Sequence, residues 1–269
     1  MEIIHSGLPI YYNEVTGELE MKEGLTCKGH SKKLAGQMIG LWKDSSGLDE
    51  EDKVYDAYRE IVFPNDKEEF QKYDYRYDIT VIHPGTVNGE YKKTSGHYHG
   101  YIAQEVYTYP EVYEVIQGEI IFILLKVNDF IKREEPVIEE IIALHVKAGQ
   151  SIIIPPGYGH GSVNPTNEVA MFSNIAVGAC PLHYEPIQVK HGLPVYVMKA
   201  DNSFRIVPND NYTNAPKAKL LRPRENKSLG IEFGSPCYTN FIKHPMKYDF
   251  LLHPARYVEE INKMYHEGE

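Results

Sequence analysis

The sequence predicts a mainly β protein, in which a barrel of jelly-roll type lies between an N-terminal extension and a C-terminal arm. Two observations favour this fold class. From residue 77 to residue 207, short stretches rich in β-branched and aromatic residues alternate with Gly, Pro and Asn-Asp breaks, as is typical of many short strands. Before and after them the pattern changes, first to helical spacing and then to a polar segment rich in Asn, Pro, Lys and Arg.

The N-terminal extension, residues 1–70, contains two stretches with apolar residues at helical spacing, 31–44 and 48–64. The recurring residues are Leu34, Met38, Leu41 and Trp42 in the first stretch, and Val54, Tyr58, Ile61 and Val62 in the second. Pro64 ends the second pattern, because proline cannot continue a helix. We therefore expect two helices that pack on the barrel.

The barrel is expected over residues 71–210, from nine strand-like stretches separated by turn residues. These stretches are residues 77–83, 90–99, 111–116, 119–127, 137–146, 151–157, 169–177, 194–199 and 203–207. The remaining residues, 211–269, predict an arm laid over the surface. Its end predicts a short amphipathic helix, with Pro254 near the first turn and Tyr257, Val258, Ile261 and Tyr265 on one side.

Composition narrows the class of protein. With 42% hydrophobic and 25% charged residues, the chain is typical of soluble globular proteins, and it has no apolar run long enough to cross a bilayer. The net charge of −10 disfavours nucleic-acid and anionic-membrane partners, so an anionic substrate would need a local binding device. The first residues lack the pattern of a secretory signal, and the three cysteines are widely spaced. We therefore expect a cytoplasmic protein.

Two histidine-containing stretches indicate a metal site. His97 and His99 are one residue apart, so on a strand both side chains project from one face. Residues 149–164, GQSIIIPPGYGHGSVN, read as a strand, a Pro/Gly turn and a histidine, His160, that enters the next strand. The tripeptide Glu-Val-Tyr occurs twice, at Glu105 and at Glu111, so two carboxylates are candidates for a fourth ligand.

These stretches resemble the two motifs of the cupin family, G-x5-H-x-H-x3/4-E-x6-G and G-x5-P-x-G-x2-H-x3-N. The second motif fits throughout, whereas the first lacks its initial glycine and has extra residues before the glutamate. Glu111 keeps the E-x6-G spacing to Gly118, but the residue at that distance from Glu105 is Val112. Pro110 would interrupt a paired strand between the two copies. Glu111 is therefore the preferred ligand, Glu105 is the alternative, and a cupin jelly-roll barrel is expected.

The proposed ligand set is His97, His99, Glu111 and His160. Three imidazole nitrogens and one carboxylate suit a divalent first-row metal, with iron expected natively and Mn, Zn, Ni or Co as alternatives. Further coordination positions would be open to substrate oxygens.

A narrower resemblance points to an activity. The element D-x-T-x3-P-G-x-V at residues 78–87, together with the two histidine stretches, is similar to the cupin-type glucose-6-phosphate isomerases first known from archaea, over roughly residues 10–210. This implies interconversion of glucose 6-phosphate and fructose 6-phosphate through an enediolate, whose charge a metal ion stabilises. Glu111 is the candidate base, and a hydride shift that needs no base is the alternative.

The same resemblance implies how the substrate is bound. Thr80, Thr94 and the backbone N–H of Gly96 are expected around the phosphate, since hydroxyls and amides bind an anion without a net positive protein. Tyr113 and Tyr109, two residues on either side of Glu111, are candidates for binding substrate hydroxyls.

One position departs from the family. Ala176 stands where a tyrosine is expected, and Tyr184 or His183 are candidates to replace it. Three alternative functions stay open: another phosphosugar isomerase, for example for mannose 6-phosphate, an Fe(II) dioxygenase, and a non-catalytic sugar-binding cupin. A homodimer is expected, because cupin barrels commonly pair through outer strands.

Overall fold

The structure is a computed structural model that describes residues 1–132, 135–201 and 203–267, and strands account for most of its regular elements. The strands are β1 (Ile10–Asn13), β2 (Glu18–Met21), β3 (Thr26–Leu34), β4 (Lys53–Val62), β5 (Tyr75–Ile82), β6 (Thr86–Val87), β7 (Glu90–Tyr91), β8 (Tyr98–His99), β9 (Glu111–Gln117), β10 (Glu119–Val127), β11 (Ile138–Lys147), β12 (Ser151–Ile154), β13 (Tyr158–Val163), β14 (Ala170–Val177), β15 (Leu182–His183), β16 (Val195–Ala200), β17 (Ser203–Pro208), β18 (Lys219–Pro223) and β19 (Tyr265–Glu267). The predicted mainly β class is confirmed.

The helices are short. The α-helices are α1 (Lys67–Lys72), α2 (Glu185–Gln188), α3 (Cys237–Lys243) and α4 (Val258–Ile261). The 3-10 helices are Ile4–Ser6, Ala35–Leu41, Pro64–Asp66, Lys227–Leu229, Pro245–Leu251 and Pro254–Arg256. Among the described residues, none of them has both the length and the apolar character that crossing a lipid bilayer requires.

Two large sheets contribute to a shared core. The first has the order β12-β9-β14-β5-β4-β3 and the second the order β13-β10-β11-β18-β19. Tyr113 and Phe172 of the first sheet belong to one buried cluster with Phe122 and Leu144 of the second. The arrangement is consistent with a jelly roll.

The central strands of the first sheet are buried on both faces. Along β9, Tyr113 and Val115 belong to the cluster shared with the second sheet, whereas Val112 and Ile116 belong to a cluster on the other face. That outer face is covered by the first residues of the chain and by the segment after β18. The near-continuous burial of β9 and β14 follows from this double cover.

The expected helix over residues 48–64 is wrong, because residues 53–62 form β4 between β3 and β5. The helix-like spacing of apolar residues in this segment comes from an irregularity in the strand. Glu60 has a left-handed backbone conformation, φ 50°, and Tyr58 and Ile61 both reach the outer cluster although they are three residues apart. The expected helix over 31–44 is also mostly wrong, since β3 runs to Leu34 and only the 3-10 helix Ala35–Leu41 follows.

The C-terminal arm covers the outer face of the first sheet, but it is less loop-like than expected. The side chains of Tyr238, Phe241 and Tyr248 are buried in the outer cluster, and β18 pairs in parallel with β11. The expected terminal helix is confined to Val258–Ile261, because Tyr265 begins β19. Residues 268 and 269 of the predicted arm lie outside the described residues.

The division into residues 1–70, 71–210 and 211–269 stays a prediction. Strands from all three parts join the two large sheets: β3 and β4 from the first, the central strands from the second, and β18 and β19 from the third.

Candidate metal centre

Four side chains converge beside the shared core. One donor atom from each of them lies within 4.8 Å of all the others. The four residues are His97, His99, Glu111 and His160. They come from three separate parts of the fold: the segment that ends in β8, the first residue of β9, and the middle of β13.

Backbone pairing positions the histidines. The N–H of His97 donates to the carbonyl of His160 at 3.0 Å, and the N–H of His160 donates back at 2.9 Å. This bridge holds the two ring centroids 4.5 Å apart.

Gly118, at φ 71°, makes the turn from β9 to β10, and a Cβ there would lie 3.1 Å from the carbonyl oxygen of Val169. The E-x6-G spacing of the sequence motif thus has a steric basis.

The rings are oriented by hydrogen bonds outside the cluster. His99 Nδ1 lies 2.8 Å from the carbonyl oxygen of Tyr109 and donates to it, so Nε2 is the ring nitrogen that faces the other ligands. Nε2 of His99 lies 3.3 Å from Glu111 Oε2, and Nε2 of His160 lies 3.4 Å from the same oxygen. The hydroxyl of Tyr113 lies 3.1 Å from His160 Nε2.

The cluster fits a metal ion. Oε2 of Glu111 is buried and has no hydrogen-bond partner among the described residues, which is rare for a carboxylate oxygen unless a cation is its partner. One carboxylate and three imidazoles match the preferences of divalent first-row metals.

The protonation states also suit metal binding. Burial by itself would raise the pKa of Glu111, but the adjacent imidazoles of His160 and His99 hold it well below its ordinary value. Burial, reinforced by the neighbouring His160 and His99, lowers the pKa of His97 well below its ordinary value. At neutral pH the Glu111 carboxylate is therefore charged and the His97 imidazole is neutral, which are the forms that bind metals. Burial would lower the pKa of His99, but hydrogen bonds with Cys180 and Glu111 raise it to about 10, so a metal ion that binds His99 would displace a proton from it.

A cavity opens beside the cluster. All four residues of the cluster line it, together with Thr80, Thr94, Gly96 and Tyr113. Most of the site residues predicted from the sequence therefore lie around one cavity.

Gly96 approaches its neighbours closely. Its φ is 75°, and a Cβ would lie 3.3 Å from the carbonyl oxygen of His160 and from side-chain atoms of Ile187 and Leu193. Thr94 is fixed nearby, since its Oγ1 accepts a hydrogen bond of 3.0 Å from the N–H of Ser162.

Tyr109 differs from expectation. Its side chain is not part of the cavity lining but packs, partly buried, against the cluster on the outer face of the sheet. The reason is local: Tyr109 lies before β9 begins, in the loop, so strand alternation does not carry over to it. Its contribution to the site is instead the backbone carbonyl that binds His99.

Glu105 lies outside the cluster, in a loop that closes at its base. The N–H of Tyr109 donates to the carbonyl of Gly100 at 3.2 Å, and that of Ile102 donates to Tyr107 at 3.0 Å. The extra residues therefore form a loop whose two ends are hydrogen-bonded to each other, and Glu111, which follows the loop, lies beside His99.

Of the two residues that were candidates to replace the tyrosine expected at Ala176, one lies at the cavity. Tyr184 lines the cavity, and its ring centroid is 5.3 Å from that of His97. The ring of His183 contacts Phe130 instead, at 5.6 Å. Of the two candidates, Tyr184 is the one that lines the cavity.

Two arginines that were not predicted from the sequence, Arg59 on β4 and Arg76 on β5, both line the cavity. The alternation of β5 could have identified Arg76, because it lies two and four residues before Asp78 and Thr80 and so shares their face. Arg59 could not be found, because its strand was interpreted as a helix.

Comparisons with known proteins support the sequence resemblance. A family model described as Glucose-6-phosphate isomerase (GPI) matches residues 31–215, a range that includes the whole cluster. None of the curated protein sequences is significantly similar to this chain.

Several solved structures are similar to part of this chain at low identity. They include the vicilin from hazelnut, Corylus avellana (14% identity, TM-score 0.34, 52% of this chain and 34% of that chain), and the polyketide cyclase RemF from Streptomyces resistomycificus (16% identity, TM-score 0.30, 48% and 69%). Oxalate oxidase in complex with glycolate has 16% identity and a TM-score of 0.29, with 42% of this chain and 47% of that chain covered. The chain thus spans about a third of the vicilin and about half of the oxalate oxidase.

Proposed function

Because the chain belongs to the glucose-6-phosphate isomerase family, whose model matches residues 31–215, we propose that it interconverts glucose 6-phosphate and fructose 6-phosphate in the cavity beside the cluster. The observation that carries the proposal is the convergence of four ligand atoms within 4.8 Å inside the matched segment. His97, His99, Glu111 and His160 would hold one divalent metal ion. Such an ion, when bound, supplies positive charge that polarises a carbonyl and stabilises an enediolate.

Glu111 is the proposed catalytic residue. Glu111 lines the cavity, and a carboxylate that binds a metal ion through one oxygen keeps the other oxygen to move a proton between C1 and C2 of the substrate. A hydride shift between the same carbons would not need this base. Tyr113 is proposed to donate a hydrogen bond to a substrate oxygen, because its hydroxyl reaches the cluster at His160.

Thr80, Thr94 and the N–H of Gly96 are proposed to bind the phosphate. Support comes from their position on the same cavity and from Thr94, whose hydroxyl accepts from Ser162 and still has its own proton to donate. These groups bind an anion by dipoles rather than by charge.

We further propose iron as the native metal, with Mn, Zn, Ni or Co as substitutes, and a cytoplasmic homodimer. The dimer is supported by β3, an edge strand of the first sheet, whose unpaired backbone groups favour pairing with a second copy. Metal analysis of protein purified without added metal, and light scattering of the same sample, test these two points.

The experiment that tests the reaction is a coupled assay of fructose 6-phosphate turnover on metal-stripped protein, with Fe(II), Mn(II), Zn(II) or Ni(II) added back. Activity should return with metal, and should be lost in His160→Ala and Glu111→Ala but kept in the matched control Glu105→Ala. Turnover of mannose 6-phosphate alone would reassign the substrate. A metal-loaded protein that turns over neither sugar would refute the isomerase reaction.

A further inference from the structure

Two arginines are held in the cavity wall by one buried carboxylate. Arg59 Nη1 lies 2.8 Å from Asp78 Oδ2, and Arg76 Nε lies 3.2 Å from the same oxygen. The side chain of Asp78 is 0% exposed, so a buried carboxylate holds both guanidinium groups in position. The three charges sum to one net positive charge at the cavity.

Part of the hydrogen-bonding capacity of the two arginines is unused among the described residues. Arg76 Nε is buried and, although close enough to Asp78 for an ion pair, has no hydrogen-bond partner among the described residues. Arg59 is held to Asp78 through Nη1, which leaves the rest of its fork for another acceptor. The terminal guanidinium nitrogens that do not contact Asp78 can therefore bind an acceptor in the cavity, which both arginines line.

The pair is next to the proposed phosphate position. Thr80 lies two residues after Asp78 on the same face of β5, and its cross-strand partner on β4 is Ala57. Arg59 lies two residues beyond Ala57 and is therefore diagonal to Thr80. Diagonal neighbours on adjacent strands are about 7–8 Å apart, a distance that an arginine side chain spans.

We propose that Arg59 and Arg76 bind the phosphate group of the substrate alongside Thr80, Thr94 and the N–H of Gly96, an inference that rests on the proposed isomerase function. The planar fork of a guanidinium matches phosphate oxygens, and such charge-assisted hydrogen bonds are stronger than those from neutral hydroxyls. The arginines also supply the positive charge that binding a phosphate dianion requires. The chain carries a net charge of −10, and the hydroxyl and amide donors alone supply no positive charge to attract a dianion.

The test uses Arg59→Gln and Arg76→Gln in the full-length, metal-loaded protein. Each single substitution leaves the other arginine paired with Asp78, so the buried carboxylate keeps a partner; thermal melting and metal content verify folding. Arg256→Gln is the matched control, because Arg256 pairs with Asp249 at 3.4 Å on the surface. We expect KM for fructose 6-phosphate to rise about 10- to 100-fold, with kcat changed much less, and Arg59→Lys to lie between.

A calorimetric titration with inorganic phosphate separates this inference from the proposed reaction, because it needs no turnover. The wild type and Arg256→Gln should bind phosphate, and each cavity variant should bind it about 10- to 100-fold more weakly. If binding follows this pattern in a protein without isomerase activity, the reaction is wrong and the anion site stands. If the cavity variants bind phosphate as the wild type does, or the wild type does not bind it, the arginine site is wrong whatever the assay gives.

Discussion

Tyr113 lines the cavity and contacts both the ligand cluster and the aromatic core. Its hydroxyl lies 3.1 Å from His160 Nε2, and its ring contacts Phe122 and Phe172 in the core. Burial and then the charge of Glu111 raise the pKa of Tyr113 well above its ordinary value, so the hydroxyl stays protonated at neutral pH. A protonated phenol in this place can donate to a substrate oxygen.

Tyr113→Phe should therefore lower kcat/KM for fructose 6-phosphate about tenfold, the effect of one lost hydrogen bond, without releasing the metal. Steady-state kinetics and metal analysis of the purified variant measure the two parts. Tyr101→Phe, at an exposed tyrosine, is the control and should be neutral. Unchanged kinetics in Tyr113→Phe would remove Tyr113 from the substrate contacts.

At the scale of elements, the segment from Thr94 to His99 is fixed by close backbone contact rather than by regular structure. Gly96 is the tightest point, because a Cβ would approach the carbonyl of His160 to 3.3 Å and φ is 75°. Any side chain here strains the backbone and pushes against the bridge between His97 and His160.

We expect Gly96→Ala to lower the free energy of unfolding by about 1–3 kcal/mol and to weaken metal binding. Denaturant unfolding of the apo form and metal titration measure the two effects separately. The control is Gly40→Ala, where a Cβ would meet nothing within 4 Å. A Gly96→Ala variant as stable as Gly40→Ala would mean that the segment adjusts freely.

How far the sequence predicts these elements depends on how local their determinants are. The strands around the cluster were predictable, because β9, β10 and β14 are long apolar runs bounded by Gly and Pro. The positions of the ligands were predictable because Gly118 and the Pro/Gly turn before His160 are turns that the local sequence specifies. The strand β4 was not, since its burial pattern depends on a left-handed residue, Glu60, and on neighbours that are distant in sequence.

Arg59 was missed for the same reason, and Tyr109 was misplaced because a loop does not keep strand alternation. Both errors concern side-chain direction. Direction depends on whether a segment is paired on both sides, which for β4 is decided by β3 and β5, and only tertiary structure shows this pairing.

At the scale of the whole molecule, the C-terminal arm completes the fold. It covers the outer face of the sheet whose inner face carries Glu111 and Tyr113, and Phe241 is 0% exposed between the arm and the sheet. The ring of Phe241 contacts those of Phe70, Tyr75 and Tyr248. The arm is thus part of the core that holds the sheet carrying Glu111 in place.

Phe241→Ala should lower the free energy of unfolding by about 3–5 kcal/mol, since it opens a cavity in this cluster, while kcat of the folded fraction stays near that of the wild type. Thermal and denaturant unfolding give the first quantity, and active-site-normalised kinetics the second. Met246→Ala, at an exposed arm residue, is the control. A small stability loss in Phe241→Ala would show that the arm is a removable appendage.

The arm also makes stability depend on pH. Glu114 lies on the outer face of β9, 2% exposed, and its Oε2 accepts a 3.0 Å hydrogen bond from the N–H of Cys237 in the arm. Burial raises the pKa of Glu114 to about 8. A carboxyl whose pKa is raised on folding binds more protons in the native state than in the unfolded state, so its contribution to stability declines as pH rises.

The window follows from the two pKa values: the loss begins above the unfolded value, 4.5, and is complete above about 8. At about 1.4 kcal/mol per pH unit within this window, the wild type should lose a few kcal/mol of unfolding free energy between pH 5 and pH 8 relative to Glu114→Gln. Gln cannot titrate, so its profile isolates the contribution of this one group. Denaturant unfolding of the apo proteins across the range measures the difference, and Glu259→Gln, at an exposed glutamate of the arm, should parallel the wild type. If the Glu114→Gln and wild-type profiles run parallel, Glu114 is already ionised in the folded protein, and the contact between β9 and the arm is a charged one.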